Sequence, residues 1–254
     1  MLAEQRKNEI LQLVNAHRSI SVLDIQQRLN VSRETVRRDL LELEEGQKLR
    51  RTHGGALSLQ TSEPEMAVRF MTNPGGKRAI GIRAAQLIPD GATVILAGGT
   101  TVQCVSNELI GRRSLTVVTN CVASCLKLSG RNDNRVHLLG GELQPQNQAT
   151  LGRESTQMLS NYSADFAVVG AGAISSQGQL MDYSREEAEL HGLMLQSAKT
   201  AIVVADRQKL GRVAPIRVQG LEKASFLVTD AEPERTMAKV LRRLPLQVLV
   251  ARQG

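Results

Sequence analysis

The sequence predicts an α/β protein: a small, mostly helical unit at the N-terminus, followed by a larger and mostly parallel α/β unit. Three observations lead to this prediction. An amphipathic helix with a start signal and a basic turn lies between Val31 and Ala56. From Lys77 onward, short β-branched runs alternate with helical stretches, which is typical of a parallel sheet covered on both faces. Between them, residues 58–76 are broken by proline and glycine and lack a steady period.

A chain of 254 residues suits two domains. We expect a small first domain over residues 1–57 and a larger second domain over 77–254. Residues 58–76 are expected to form the linker, with one short helix around Glu65–Thr72.

Two helices are predicted before the basic one. Gln5 to His17 carries apolar residues at helical spacing. Ser21 to Asp24 has the form of a capping box, which opens a second short helix through about Leu29. A tight turn from Asn30 leads into the third helix, so the three helices form a helix-turn-helix.

The third helix begins at Ser32, because a serine hydroxyl can accept a hydrogen bond from a backbone N–H of the first turn. Val36, Leu40 and Leu43 recur at i, i+4 and i+7, which places them on one buried face. Gly46 is expected to end this helix as a left-handed cap. The basic turn that follows is expected to supply the wing of a winged helix-turn-helix.

Polar and cationic side chains lie away from the buried face of this helix and in the turn after it. The predicted DNA-binding residues are Ser32, Arg33, Glu34, Thr35, Arg37, Arg38, Arg50, Arg51 and His53. Arginine forks match guanine edges in the major groove, and cations in a turn can contact phosphates. The alternative is a solvated helix whose charges pair at i, i+4, such as Glu34 with Arg38.

The charge of the chain agrees with a polyanionic partner but does not establish one. The formal net charge is +7, yet residues 1–57 carry ten Lys or Arg against eight Asp or Glu. The signal in the first domain is therefore the placement of the cations. The chain has no Trp, two Tyr and three Phe, which argues against stacking platforms for single strands or RNA.

The second domain is predicted to alternate strands with helices. The predicted strands are Thr93–Ala97, Leu115–Thr119, Val136–Leu139, Phe166–Val169, Ala201–Ala205, Phe226–Thr229 and Gln247–Val250. The predicted helices are Lys77–Ile88, Thr101–Ile110, Val122–Leu128, Arg153–Leu159, Arg185–Lys199 and Pro233–Arg243. Ligands of such sheets bind where strands end and the chain turns into a helix.

Five of these strand ends carry glycine, hydroxyl, amide or charged side chains. The predicted residues at the strand ends are Gly98, Gly99, Thr100, Thr101, Asn120, Gly140, Gly141, Gly170, Gly172, Asp206 and Lys209. Each alone is more often turn chemistry, but together they indicate a small anionic ligand such as a sugar phosphate. No GxGxxG follows the first strand and no Walker lysine occurs, so a nucleotide site is not expected.

Several other classes of protein are not expected. The chain has no apolar run long enough to span a membrane and no signal peptide at its start. Its three cysteines favour reduced thiols in the cytoplasm. The four histidines are scattered, so we expect no metal site, no cofactor and no catalytic arrangement.

The segment VSRETVRRDLLELEEGQKLRRTHGGA resembles the N-terminal signature of the DeoR family of bacterial transcription regulators. GGTT, TN, LLGGE and AD-x-x-K-x-G are similar to motifs of the family's C-terminal effector domain, which resembles ribose-5-phosphate isomerase in fold. The resemblance implies that the helix from Ser32 is the recognition helix and that residues 98–101 hold phosphate. It also implies that Asn120, Gly141, Asp206 and Lys209 line the rest of an effector pocket.

Two positions depart from the pattern of that family. Asp-Gly is common in the family where this chain has Gly172-Ala173, and lysine is common near His191. An isomerase needs a positioned carboxylate and a cation, so turnover is not expected. We expect residues 177–189 to determine ligand choice, with Asp182, Glu186 and Glu187 as candidates. A solvated acidic helix start is the favoured alternative for the two glutamates.

The sequence thus favours a ligand-controlled regulator that represses a carbohydrate-metabolism operon. Its expected partners are a double-stranded DNA operator, a phosphorylated sugar or related metabolite, and copies of itself in a dimer or tetramer. One alternative is a sugar-phosphate isomerase or deaminase with an appended DNA-binding module. A non-specific DNA-packaging protein is a weaker alternative, because the second domain is large and is predicted to carry a pocket.

Overall fold

A computed structural model describes residues 2–17, 19–46, 48–52, 54–58 and 63–252. The chain divides into two compact units, Met1–Glu63 and Pro64–Gly254. The stretch 58–76 that the sequence suggests as a linker therefore contributes to both units. Among the described residues, no helix is long and apolar enough to cross a bilayer.

Unit 1 has three helices and a small antiparallel sheet. In chain order its elements are α1 (Ala3–His17), β1 (Ser19–Ser21), α2 (Val22–Leu29), α3 (Arg33–Glu45), β2 (Leu49–Thr52) and β3 (Gly55–Ser58). The strands lie in the order β1-β3-β2. The β2–β3 hairpin is the wing, so the predicted winged helix-turn-helix is confirmed; β1, which joins the hairpin to the helices, was not predicted.

The core of unit 1 explains the arrangement of its helices. Ile10 from α1, Ile25 from α2, and Val36 and Leu40 from α3 are at most 1% exposed and pack in one cluster. Leu49 of the wing joins the same cluster. The apolar face of α3 thus fixes both the helix and the wing against the rest of the unit.

The predicted left-handed cap at Gly46 is wrong. Gly46 has φ −76° and ψ 8°, an ordinary right-handed conformation. Its N–H still donates to Glu42 O over 3.0 Å, and the chain leaves the helix when Lys48 N–H bonds to Leu43 O over 2.9 Å. The left-handed cap of the helix-turn-helix is Asn30, which ends α2 with φ 50°.

Unit 2 begins with helices and continues as an alternating α/β structure. Its helices are α4 (Met66–Met71), α5 (Pro74–Ala85), α6 (Thr100–Leu109), α7 (Val122–Leu128), α8 (Arg153–Leu159), α9 (Arg185–Gln196) and α10 (Arg235–Leu241). Its strands are β4 (Thr93–Leu96), β5 (Thr116–Thr119), β6 (Arg135–Leu138), β7 (Glu142–Gln144), β8 (Ala149–Leu151), β9 (Ala164–Val169), β10 (Ala173–Ile174), β11 (Leu180–Asp182), β12 (Ala198–Val204), β13 (Ile216–Arg217), β14 (Ala224–Thr229) and β15 (Gln247–Val250).

The seven predicted strands form one parallel sheet in the order β15-β14-β12-β9-β4-β5-β6. Separate apolar clusters cover its two faces. Ile80 of α5 and Leu109 of α6 belong to one cluster, whereas Leu159 of α8 and Leu190 of α9 belong to the other. The prediction of a mostly parallel α/β unit is therefore confirmed.

Some element boundaries differ from the prediction. α5 begins at Pro74 instead of Lys77, because a proline is well placed in the first turn of a helix. α9 ends at Gln196, and Lys199, predicted as its last residue, lies in β12 beside Ala198 and bonds to Asp165 over 2.9 Å. The short strands β7, β8, β10, β11 and β13 were not predicted, since two or three residues show no period.

Candidate DNA-reading face and candidate anion site

The start of α3 has the capping geometry that its sequence predicts. Ser32 lies outside the helix at φ −67° and ψ 152°, and its Oγ accepts a hydrogen bond from Thr35 N–H over 3.1 Å. The same oxygen is 2.8 Å from Thr35 Oγ1. This cap fixes the first turn of α3, which presents Arg33 and Glu34 to solvent.

Four arginines of α3 and the wing are available to a ligand. Arg33, Arg37, Arg38 and Arg50 are exposed. Within the described part of the chain, none of the four forms an ion pair. The Glu34–Arg38 pair of the solvated-helix alternative is therefore absent among the described residues, and four exposed cations remain on α3 and β2.

Two carboxylates fix α3 against its neighbours. Asp39 is 3% exposed and accepts two hydrogen bonds from the Arg6 guanidinium, over 2.6 Å from Nε and 3.0 Å from Nη2. Such bidentate pairs set direction as well as distance, so α3 cannot rotate freely against α1. Glu44 accepts a hydrogen bond from the backbone N–H of Arg51 over 2.7 Å, which ties the wing to α3.

Between α3 and the wing lies a groove of about 560 Å³ with mixed walls. Arg37 and Arg51 line it, together with Glu44 and Thr52. The predicted residue His53 lies outside the described residues. The remaining predicted DNA-binding residues lie on α3, at its cap or on β2.

The candidate anion site lies where the parallel strands of unit 2 end. Because these strands run in one direction, Gly98, Asn120, Gly170 and Asp206 follow strand ends at the same edge of the sheet. A Cβ at Gly170 would lie 3.7 Å from Gly98 O, and one at Gly98 would lie 3.9 Å from Asn120 Oδ1. Three of the predicted strand ends are thus close neighbours.

Gly99 turns the chain from β4 into α6. It has φ 116°, in the region that favours glycine, and α6 begins at the next residue. Thr100 and Thr101 are 5% and 8% exposed. Two hydroxyls and the backbone N–H groups of a helix start are therefore brought together at this edge, an arrangement that suits a phosphate.

A buried cluster of charge lies beside this edge. Lys77 of α5 is 3% exposed, and burial lowers the pKa of its ammonium while Asp206 raises it and Lys209 and Arg69 lower it further. Two further cations and one carboxylate therefore act on the Lys77 ammonium. Asp206 is 1% exposed and accepts a hydrogen bond from Gln208 N–H over 2.9 Å, which fixes its direction.

Asn120 has a buried acceptor without a hydrogen bond among the described residues. Its Nδ2 donates to Thr150 O over 3.1 Å, while its Oδ1 has no partner. The bond to Thr150 sets the orientation of the amide, since the opposite orientation would place two oxygens together. A buried unpaired oxygen costs about 1–3 kcal/mol, and a ligand hydroxyl would remove that cost.

Two other predicted effector residues lie against different parts of unit 2. Gly141 has φ 119°, and a Cβ there would lie 2.3 Å from Leu151 O and 2.7 Å from Ser155 Oγ. The lack of a side chain at Gly141 therefore permits its backbone to pack closely against β8 and α8. The Asp182 carboxylate is 2.6 Å from His191 Nδ1. Among the described contacts, none joins Asp182 to Asn120 or Asp206.

Close packing of Gly172 against β11 explains one departure from the family pattern. A Cβ at Gly172 would lie 2.8 Å from Asp182 Oδ1 and 2.9 Å from Met181 O. A larger residue at position 172 would therefore collide with the strand that carries Asp182. Of the two helix-start glutamates, Glu186 is exposed, and Glu187 accepts a hydrogen bond from Asn147 over 2.8 Å.

Lys77 is absent from the set of effector residues predicted from sequence. The sequence pattern predicts it only as the start of a helix. A signal exists, however: Lys77, Ile80, Ala84 and Ile88 are spaced as one helix face, and a lysine on an apolar face is unusual.

Cys121 is buried while Cys104 and Cys125 are half-buried, and all three are free thiols.

Models of two protein families match the chain. The DeoR-like helix-turn-helix domain matches residues 6–62, and the DeoR C terminal sensor domain matches residues 72–231. The HTH-type transcriptional repressor GlcR of Bacillus subtilis is 34% identical over 255 residues, covering 100% of this chain and 98% of GlcR. The glycerol-3-phosphate regulon repressor of Escherichia coli is 30% identical over 242 residues, covering 95% of this chain and 96% of that repressor.

Solved structures with lower similarity were also found. The match with ribose 5-phosphate isomerase A from Methanocaldococcus jannaschii covers 55% of this chain and 55% of the isomerase chain, with 16% identity and a TM-score of 0.41. Translation initiation factor eIF-2B from Pyrococcus horikoshii covers 85% of this chain and 69% of its own, with 16% identity and a TM-score of 0.44.

Proposed function

This chain belongs to the DeoR family of DNA-binding transcription regulators, and from that membership we propose that it is a repressor whose release from DNA is controlled by a small phosphorylated metabolite. The family makes it a regulator and not an enzyme, so the isomerase or deaminase alternative is set aside. The observation that supports the DNA half best is the set of four exposed arginines, Arg33, Arg37, Arg38 and Arg50, which form no ion pair among the described residues.

In this proposal α3 enters the major groove. Arg33, Arg37 and Arg38 contact base edges, while Ser32, Glu34 and Thr35 lie at the helix start, where side chains of recognition helices meet bases and phosphates. Arg50, Arg51 and His53 of the wing contact phosphates. The Asp39–Arg6 pair holds α3 at a fixed angle, so that the guanidinium groups keep one register on the bases.

The effector half is supported by the buried charge next to the strand ends. Lys209 and Arg69 both repel the Lys77 ammonium, which Asp206 attracts, and a dianion would offset that repulsion. The helix start at Gly98, Gly99, Thr100 and Thr101 would hold the phosphate, and Asn120 Oδ1 would accept a hydrogen bond from a ligand hydroxyl.

A small polyol or sugar phosphate fits this combination of groups. A relative in Escherichia coli is named for the glycerol-3-phosphate regulon, which is consistent with a ligand of this class. We also propose Gly141, Asp182, Asp206 and Lys209 as lining residues, with Asp182 acting through its contact with His191. The regulated genes would then belong to carbohydrate metabolism.

The proposal includes an assembly and a location. A single recognition helix buries too few base edges to select one site in a genome, so two or more copies are expected to bind repeated or inverted half-sites. A repressor acts where the chromosome lies, which is the cytoplasm in bacteria.

Selection of binding sites from a random duplex pool tests the DNA half. The full chain is expected to enrich one sequence motif, and Arg37→Ala and Arg38→Ala are expected to relax specificity at separate positions. A good bidentate base contact contributes about 1–3 kcal/mol of discrimination, which is roughly 5-fold to 150-fold in relative affinity. Arg28→Ala is the matched control, because Arg28 is an exposed arginine of α2 outside the predicted face. Enrichment of the same motif by all four proteins would contradict the assignment of α3.

A further inference from the structure

Arg69 joins the anion site to the first helix of unit 2. Unit 2 begins at Pro64 and α4 begins at Met66, so α4 receives the chain directly from unit 1. Arg69 lies on the buried side of α4 with a relative exposure of 8%. Its main-chain carbonyl accepts a hydrogen bond from the Lys77 ammonium, which is the buried cation of the candidate anion site.

The guanidinium of Arg69 reaches the turn between β7 and β8. Its Nη2 donates to Asn147 Oδ1 over 2.6 Å, in the turn between β7 and β8. Asn147 Nδ2 in turn donates to Glu187 Oε1 over 2.8 Å. The backbone N–H of Glu187 bonds to Ser184 Oγ over 3.0 Å, which is the cap of α9.

A chain of hydrogen bonds therefore runs from α4 through one turn to the start of α9. Its members lie far apart in sequence, so these contacts exist only in the folded unit. The start of α9 closes the segment 177–189 that the sequence marks as the determinant of ligand choice. α4 is thus held by Lys77 through the carbonyl of Arg69 and by Asn147 through the guanidinium of Arg69.

We propose that Arg69 is a positioning residue that couples occupancy of the anion site to the position of α4 and, through it, to the DNA-binding unit; this inference rests on the proposed function. An anion that attracts Lys77 Nζ acts on the same ammonium that holds the Arg69 carbonyl. The three donors of an ammonium have a fixed tetrahedral arrangement. A movement of the Lys77 ammonium toward an anion therefore alters its hydrogen bond to the Arg69 carbonyl of α4.

The coupling requires two arrangements of α4 that the ligand binds with different affinity. The planar guanidinium suits such a role, because it holds Asn147 in one direction, which a flexible lysine would not. When the ammonium moves toward an anion, the guanidinium transmits the change in α4 to the turn at Asn147. The start of unit 2, which precedes α4 in the chain, then changes position together with α4.

The test uses the full chain without any ligand. Asn147→Ala breaks the hydrogen-bond chain at a half-buried turn residue, and Gln146→Ala changes an exposed neighbour in the same turn. Hydrogen–deuterium exchange of the α4 amides and affinity for the selected duplex are measured for both. Loss of a hydrogen bond to a charged group is expected to speed α4 exchange by about tenfold in Asn147→Ala. Duplex affinity should change about threefold or more, while Gln146→Ala matches the parent.

Arg69→Lys is the second variant, because it keeps the charge but not the planar fork. It is expected to reproduce the faster α4 exchange and the changed duplex affinity of Asn147→Ala. Equal behaviour of Asn147→Ala and Gln146→Ala would overturn the inference. Faster α4 exchange with unchanged duplex affinity would also overturn it, because Arg69 would then organise unit 2 alone. A parent chain that selects no duplex motif would instead refute the proposed function, so the two failures are distinguishable.

Discussion

At the scale of single residues, this protein holds cations in two contrasting environments. Arg37 and Arg38 are exposed on α3 without ion pairs among the described residues, where their charge is available to DNA. Lys77 is buried close to one carboxylate and two other cations, where a further anion would lower the cost of burying its charge. The first arrangement suits a large exposed partner and the second suits a small enclosed one.

Replacing Lys77 by methionine is expected to lower both stability and ligand affinity. The change removes the donor to the Arg69 carbonyl and a cation that acts on the buried Asp206 carboxylate, and loss of one partner of a buried charged pair is destabilising. We expect Tm to fall by about 2–4 °C or more, as follows from a loss of roughly 1 kcal/mol or more in a protein of this size. The apparent affinity for a phosphorylated ligand should fall by at least about tenfold.

Arg78→Met is the matched control for this variant, because Arg78 is the exposed neighbour of Lys77 on α5. Thermal unfolding with and without glycerol 3-phosphate, glucose 6-phosphate and inorganic phosphate gives both quantities. A lower Tm together with an unchanged ligand response would show that Lys77 has a structural role only.

Residues whose role depends on their own helix could be predicted from the sequence, whereas residues with distant partners could not. The cap at Ser32 and the buried set at Val36, Leu40 and Leu43 follow from local rules, and the structure confirms them. The role of Lys77 could not be derived locally, since its partners Asp206 and Lys209 lie more than a hundred residues away. The Asp182–His191 contact was missed for the same reason, because nothing in the sequence pairs β11 with one face of α9.

At the scale of elements, α3 and the wing are expected to have different roles on DNA. Base contacts determine sequence, while phosphate contacts determine affinity and its dependence on salt. Arg50→Ala and Arg51→Ala in β2 should therefore weaken binding to all duplexes alike. Each should reduce the slope of log affinity against log salt by about one unit.

The measurement is a titration of selected and random duplexes at several salt concentrations. Arg28→Ala again serves as the control. Wing variants that change sequence preference while keeping the parent's salt slope would contradict the division of roles. Such a result would place the wing on base edges.

The prediction of elements succeeded where a segment has a period or a cap. α7 and α8 match their predicted bounds at Val122–Leu128 and Arg153–Leu159, because apolar spacing and flanking glycine or polar residues mark both ends. Short strands such as β10 and β13 were missed, since two paired residues leave no pattern. The end of α9 was misplaced because helix and strand follow one another with a single residue between them.

At the scale of the whole molecule, the proposed function gives each unit a partner of its own. Unit 1 carries the proposed recognition helix, and unit 2 carries the proposed anion site. We expect the full chain to form a dimer or tetramer, because two helices are needed to read sites one or more helical turns apart. Light scattering of the full chain, free and with selected duplex, tests this; a monomer in both conditions would exclude it.

Control of DNA binding by a phosphorylated metabolite is tested most directly by measuring the duplex affinity of the full chain at rising concentrations of phosphorylated polyols and sugars, glycerol 3-phosphate among them. The parent is expected to lose at least about tenfold in affinity with one member of the panel, as a coupling of 1–3 kcal/mol permits. The double variant Thr100→Val/Thr101→Val keeps the shape of the α6 start but removes two hydroxyl donors, each contributing about 1.5–3 kcal/mol toward a charged ligand. It should bind the duplex like the parent and respond only at ligand concentrations about a hundredfold higher. No response of the parent to any phosphorylated compound, or the same response in parent and variant, would contradict the account.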